Sequence, residues 1–84
     1  MSYRISIVRS AEKEFLRLPG HIQTRARSKM LALELDPRPT GCKKLSGSDR
    51  HRIRIGDYRV VYNIDDPQKH IAILSIGHRR EIYR

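Results

Sequence analysis

Residues 51–66 read H-R-I-R-I-G-D-Y-R-V-V-Y-N-I-D-D, and the fold is decided there. Two runs rich in β-branched and aromatic residues, 51–55 and 58–64, flank Gly56-Asp57. Glycine in the first position of a two-residue loop suits a type II′ hairpin turn, whose twist matches that of the flanking strands. With that loop, Ile55 faces Tyr58, Arg54 faces Arg59, Ile53 faces Val60 and Arg52 faces Val61. Side chains alternate across a strand. Ile53, Ile55, Tyr58 and Val60 therefore share a face, and Arg52, Arg54 and Arg59 share the other. A one-residue slip would drive the arginines into the core, so the register is strongly specified.

Working toward the C-terminus, Asp65-Asp66-Pro67 is a turn and 71–76, I-A-I-L-S-I, is apolar on both faces. Such a strand is expected to be central and covered on both sides. Gly77 ends it, ahead of H-R-R-E-I-Y-R. Toward the N-terminus, Ser46-Gly47-Ser48-Asp49 is a turn, Lys43-Lys44-Leu45 a short edge strand and 37–41, P-R-P-T-G, a loop. A helix is predicted over about 21–35. Ile22, Ala26, Met30 and Leu33 form its apolar stripe, Leu31 and Leu35 widen it, and Arg25, Arg27 and Lys29 lie off its centre. Asp36-Pro37 stops it. An earlier helix carries Ala11, Phe15 and Leu18, with Leu16 widening the stripe, Ser10 as N-cap and Pro19-Gly20 as terminator. The short turn implies an antiparallel helical hairpin. Residues 3–8 alternate as a strand. The order is β-α-α-β-β-β-β: one α+β domain over 1–84, with antiparallel strands in a twisted sheet and the helices on one face.

Composition narrows the function. The chain has 84 residues, 18 Lys plus Arg against 9 Asp plus Glu, and a net charge of +9. That length suits one small domain and gives little room for a deep cofactor pocket. The single cysteine, Cys42, excludes an internal disulfide and a cysteine-based zinc site, and the four histidines lack metal-ligand spacing. No metal or cofactor is expected. No apolar run approaches a membrane span and the N-terminus lacks an apolar signal core, so a cytoplasmic protein is expected, with no membrane partner. The charge favours a polyanion, nucleic acid before an acidic protein segment. Charged residues ordinarily fill a solvated sheet face. Two directly opposed arginines, however, repel each other unless an anion lies between them, which favours a binding role for Arg52, Arg54 and Arg59. The planar fork of arginine donates two parallel hydrogen bonds to a phosphate.

Four segments carry a family resemblance: A-E-K-E-F-L-R-L-P at 11–19, D-P-R-P-T-G-C-K-K-L-S-G at 36–47, the stretch at 51–66, and I-L-S-I-G-H-R-R-E-I-Y-R at 73–84. Together they span nearly the whole chain. It resembles the RelE/ParE superfamily of bacterial toxin–antitoxin toxins, the RelE branch most. The resemblance implies a microbial-RNase-like fold and an endonuclease that cuts messenger RNA in the ribosomal A site. In the family chemistry the ribose 2′-OH attacks the adjacent phosphate without a metal. It also implies a cognate antitoxin, acidic and partly disordered, and contact with operator DNA only through the toxin–antitoxin complex.

Residue by residue, the resemblance puts the family's basic strand positions on Arg52 and Arg54. The hairpin arginine falls on Arg59, the arginine after the last strand on Arg79, and the C-terminal tyrosine on Tyr83. Well-known RelE members carry lysines at the two strand positions. Arginine cannot give up its proton as a lysine can, so Arg52 and Arg54 can neutralise a phosphate but not act as base. His78, next to Arg79, is the candidate for proton transfer, with a polar strand end or base stacking as the alternative roles. His51 ranks lower, because alternation sets it opposite Arg52, and only proximity favours Glu81. Tyr83 can stack on a base or bond the phosphate. Lys43 and Lys44 are candidate RNA contacts, or else a charged edge that blocks aggregation. Two other readings remain: a ParE-like inhibitor of DNA gyrase, and a non-catalytic nucleic-acid-binding relative.

Overall fold

A computed structural model describes residues 2–78. The elements run β1 (Arg4–Ile7), α1 (Arg9–Leu16), α2 (Gly20–Ala32), β2 (Lys43–Lys44), β3 (Arg50–Ile55), β4 (Tyr58–Asp65) and β5 (His70–His78). One five-stranded sheet has the order β1-β5-β4-β3-β2. This is the expected α+β architecture. The antiparallel series from β2 to β5 is present, but β1 pairs parallel to β5, so the sheet is mixed. The two helices lie between β1 and the rest and let the chain return in the same direction.

The β3–β4 hairpin has the register read from the sequence, including Arg54 opposite Arg59 and Arg52 opposite Val61. Gly56 has φ +61° and Asp57 is not in the left-handed region, as a type II′ turn requires. The expectation for 71–76 is refined. β4, not β5, is the middle strand, and β5 lies between β1 and β4. The β4–β5 register shifts between Val61 and Tyr62, where Ser75 and then Ile73 are the partners. Leu74 is thus an extra residue, a bulge that reverses which face each later side chain meets. Ile71, Ile73 and Ile76 all reach the core across that break. Much of the two-sided apolar look of I-A-I-L-S-I is this phase change, with Ala72 and Leu74 only half-buried on the second face.

Helix α1 lies against β5 and α2 against β3. Those strands are two spacings apart, about 10 Å, which is the distance at which neighbouring helices pack. Ala11, Phe15, Leu18, Ile22, Ala26 and Leu33 meet Ile53, Ile55, Val60, Tyr62, Ile71, Ile73 and Ile76 between the layers.

The helix ends differ from the sequence reading. Ser10 is not the cap of α1. Val8, extended at φ −70° and ψ 155°, takes that place. Its N–H still bonds Ile73 O at 3.0 Å as strand, while its carbonyl accepts from Glu12 N at 2.9 Å as helix. The chain passes from strand to helix within one residue, and Ser10 falls inside the first turn. Gly20 starts α2 directly after Pro19 rather than ending α1. Regular α2 stops at Ala32, not 35. The next turn tightens into i→i−3 bonds, Leu33 N to Met30 O, Glu34 N to Leu31 O and Leu35 N to Ala32 O. The change of pitch takes Leu35 off the stripe, and it is 82% exposed. Leu31 and Leu16 are also outside the core, at 54% and 67%.

Candidate nucleic-acid interface

The twisted hairpin brings Arg52, Arg54 and Arg59 to the sheet face away from the helices, with Arg54 directly across from Arg59. That face is not open along its whole length, as the sequence suggested. Arg52 is 7% exposed, Arg59 4% and Val61, the cross-strand partner of Arg52, 6%. Arg54 is exposed. Exposures this low cover the heads of Arg52 and Arg59 as well as their stems. Among the described residues no buried side-chain nitrogen or oxygen lacks a partner. Among the described residues the face therefore sets the exposed Arg54 beside the buried Arg52 and Arg59.

Arg79 and Tyr83 lie outside the described residues. His78 is the last residue of β5 and pairs with Tyr58 in register. Tyr58 shares the helix side with Val60, whereas Arg59 pairs with Gly77 on the other side. The imidazole stands edge-on to the Tyr58 ring, with centroids 5.6 Å apart and planes at 80°. His78 thus belongs to a cleft of about 280 Å³ that Glu14, Arg17 and Tyr58 also line, and not to the arginine face.

Lys43 and Lys44 form the exposed edge strand β2. Lys44 opens onto a cleft of about 410 Å³ that also holds Arg38, His51, Asp49, Asp65 and Asp66. The carboxylates make that end of the sheet mixed in charge. His51 is on the helix side, as alternation required, stacked on Tyr62 at 5.8 Å with Nδ1 3.0 Å from Asp49 O. The Tyr62 hydroxyl donates to Pro37 O at 2.8 Å, and burial, with the Cys42 thiol next, holds this phenol far above its usual range. On the surface Asp66 accepts from Tyr3 at 2.5 Å and pairs with Arg38 at 2.9 Å. The bond from Arg38, then that from Tyr3, holds the Asp66 carboxyl below its ordinary value. These contacts tie the 37–41 loop to the sheet end.

Two features escaped the sequence reading. Glu14, on α1, accepts from the Ile76 N–H at 2.9 Å. β1 pairs with β5 only as far as Ile73, so Glu14 covers an edge that β1 leaves bare. A carboxylate one residue before Phe15 on an otherwise apolar helix face was the available signal. The second feature is the pair of basic residues on α2, Arg25 and Lys29, that lies toward β3. Among the described residues no group of His, Cys, Asp or Glu could hold a metal ion, and no helix is long and apolar enough to cross a membrane.

With this geometry the chain can be placed among known proteins. The family model for the ParE toxin of the type II toxin–antitoxin system parDE matches residues 5–83. None of the curated proteins matches the chain in sequence. The archaeal RelE of Pyrococcus horikoshii OT3, solved as a RelE–RelB complex, is 34% identical. The match covers 94% of this chain and 97% of that one, with a TM-score of 0.84. RelE of the intact E. coli RelBE toxin–antitoxin complex is 25% identical over 92% of this chain and 96% of that one, at a TM-score of 0.81. A chain of the RelBE2 toxin–antitoxin complex of Mycobacterium tuberculosis shares the fold at 24% identity, 94% and 100% coverage and a TM-score of 0.80. The family match spans nearly the whole chain and the relatives are aligned end to end, so the chain belongs to the RelE/ParE superfamily, the toxins of type II toxin–antitoxin systems.

Proposed function

We propose that this toxin is a ribosome-dependent endoribonuclease that cuts messenger RNA in the A site and so stops translation. The observation that carries the reading is Arg54 directly opposed to Arg59, with Arg52 on the same face. A phosphate placed between the two guanidinium groups is attracted by both. In the reaction the ribose 2′-oxygen attacks the neighbouring phosphorus and the 5′-oxygen of the next nucleotide leaves. The products are a 2′,3′-cyclic phosphate and a free 5′-hydroxyl. Negative charge grows on the non-bridging oxygens, and fixed cationic donors there stabilise the transition state more than the ground state. In this reading the exposed Arg54 meets the scissile phosphate, the buried Arg59 and Arg52 add positive charge to the same face, and Arg79 and Tyr83 complete the set as the family pattern implies. Lys43 and Lys44 contact flanking RNA. The arginine face supplies charge stabilisation rather than proton transfer, and His78 belongs with Tyr58 in the adjoining cleft.

The relatives from Pyrococcus and E. coli are complexes of RelE with RelB. By the same logic a cognate antitoxin neutralises this chain, and a charge of +9 selects an acidic one. A second reading, a ParE-like inhibitor of DNA gyrase without nuclease chemistry, is favoured by the ParE family model. The two separate in parallel assays of the purified toxin. The nuclease reading expects amino-acid incorporation to fall in a reconstituted translation system while gyrase supercoiling is unaffected. Loss of supercoiling with intact translation would replace it with the gyrase reading.

A further inference from the structure

β2 pairs with His51 and Arg52 of β3, so among the described residues the outer edge of β3 from Ile53 to Ile55 has no strand partner. α2 runs alongside that edge. Arg25 reaches the hairpin turn, where its Nη1 would lie 3.8 Å from a side chain at Gly56. One helical turn later Lys29 lines a groove of about 350 Å³, with Ala32, Pro39, Gly41, Ile53 and Arg54 among the other lining residues. Arg25, Lys29 and Arg54 are all exposed. Among the described residues none of the three has a carboxylate at ion-pair distance, the recorded pair being Arg38–Asp66. Three solvated cations therefore follow one another round an open sheet edge. Arg54 belongs to both this row and the arginine face, so the two are continuous.

We propose that Arg25, Lys29 and Arg54 form a track that carries the single-stranded RNA backbone away from the arginine face and round the open edge of β3. The inference rests on the RNA-directed reading and extends it from one phosphate to its neighbours. Arg25 and Lys29 are four residues apart on a helix, a rise of about 6 Å, so two successive cations line up along one path. The groove floor of Ala32, Pro39 and Ile53 is apolar and suits riboses or a base face, while the cations take the phosphates. An acidic extended peptide adding to the β3 edge would meet the same cations. RNA is favoured because the track continues into a second set of arginines that has no main-chain edge to offer.

The test is binding of a fully 2′-O-methylated, uncleavable RNA 12-mer, followed by fluorescence anisotropy across a salt series. Each single-strand phosphate contact contributes about 0.7 to the slope of log affinity against log salt. Arg25→Gln with Lys29→Gln is expected to weaken binding at least tenfold near 0.1 M salt and to lower the slope by about 1.4. Arg9→Gln with Lys13→Gln, exposed on α1, removes the same charge and is expected to leave the slope unchanged. Equal slopes for the α2 variant and the wild type would overturn the track. So would an equal loss in both double variants, because only net charge would then matter. Loss of antitoxin-peptide affinity with RNA binding intact would also overturn it, in favour of a peptide edge. The nuclease reading fails separately. If the wild type binds the 12-mer through this slope but cuts no message on ribosomes, the track stands and the proposed cleavage does not.

Discussion

Tyr62→Phe isolates one contact with a defined geometry. The ring is fully buried, stacks on His51 and hangs its hydroxyl on the Pro37 carbonyl at 2.8 Å. Phenylalanine keeps the ring and removes only that bond. Losing a hydrogen bond and leaving its acceptor unpaired costs roughly 1–3 kcal/mol. Pro37 is only half-buried, so water can compensate in part, and about 1.5 kcal/mol is the working value. For a domain of this size that corresponds to a fall in melting temperature of roughly 6–12 °C. With a urea m-value near 1 kcal/mol/M, the midpoint drops by about 1.5 M. The pH dependence supplies a second signature. The folded phenol is held above its unfolded value, chiefly by burial. The resulting stability is fully present below the unfolded pKa of about 10 and declines as pH rises past it. The gap between wild type and Tyr62→Phe should therefore be constant from pH 7 to 9 and narrow above about pH 10. Chemical denaturation across that range is the assay. A midpoint within experimental error of wild type, or a gap that widens above pH 10, would refute the role given to this hydroxyl.

Arg59→Ala should reduce cleavage on ribosomes about 10²–10³-fold, the usual cost of one preorganised transition-state donor. His78→Ala should cost less than about tenfold, since a proton-transfer residue contributes roughly 10²–10⁴-fold and its ring sits with Tyr58. Single-turnover cleavage of both variants is the check, and a larger loss for His78→Ala would return proton transfer to it. Glu14→Ala should destabilise the fold by about 1–2 kcal/mol and raise the tendency to self-associate, because the Ile76 N–H at the bare β5 edge loses its acceptor. Light scattering with urea unfolding reads both effects. Asp66→Asn should lower the melting temperature near neutral pH. Because the Asp66 carboxyl is held low by Arg38 and Tyr3, its contribution is present above the unfolded pKa of about 4 and lost as pH falls further. The two proteins should converge below about pH 4.

The hairpin was fully legible in the sequence because every level agreed: a glycine where the turn needs positive φ, alternation on both sides, and charges that forbid a slip. The arginine set followed from that register alone. Other features lay beyond local pattern. The parallel pairing of β1 depends on where two helices return the chain, and no residue of 4–7 encodes it. The bulge at Leu74 disguised a one-sided strand as a two-sided one. The cap of α1 moved to Val8 because strand and helix share that residue, a tertiary economy that outweighed the capping preference of Ser10. His78 was read by its nearness to Arg79 in sequence. Neighbours along a strand point to opposite faces, and the register separates His78 from Arg59. The Glu14 cap and the Arg25–Lys29 row join elements far apart in the chain, so only the folded edge of the sheet shows what they face.

The central claim is that the arginine face cuts ribosome-bound message. Primer extension on a reporter messenger RNA, in a purified translation system with and without the toxin, tests it most directly. The account predicts discrete breaks within the A-site codon, absent from the same RNA without ribosomes and lost with Arg59→Ala. Intact message on translating ribosomes, or cuts that persist undiminished in Arg59→Ala, would contradict it.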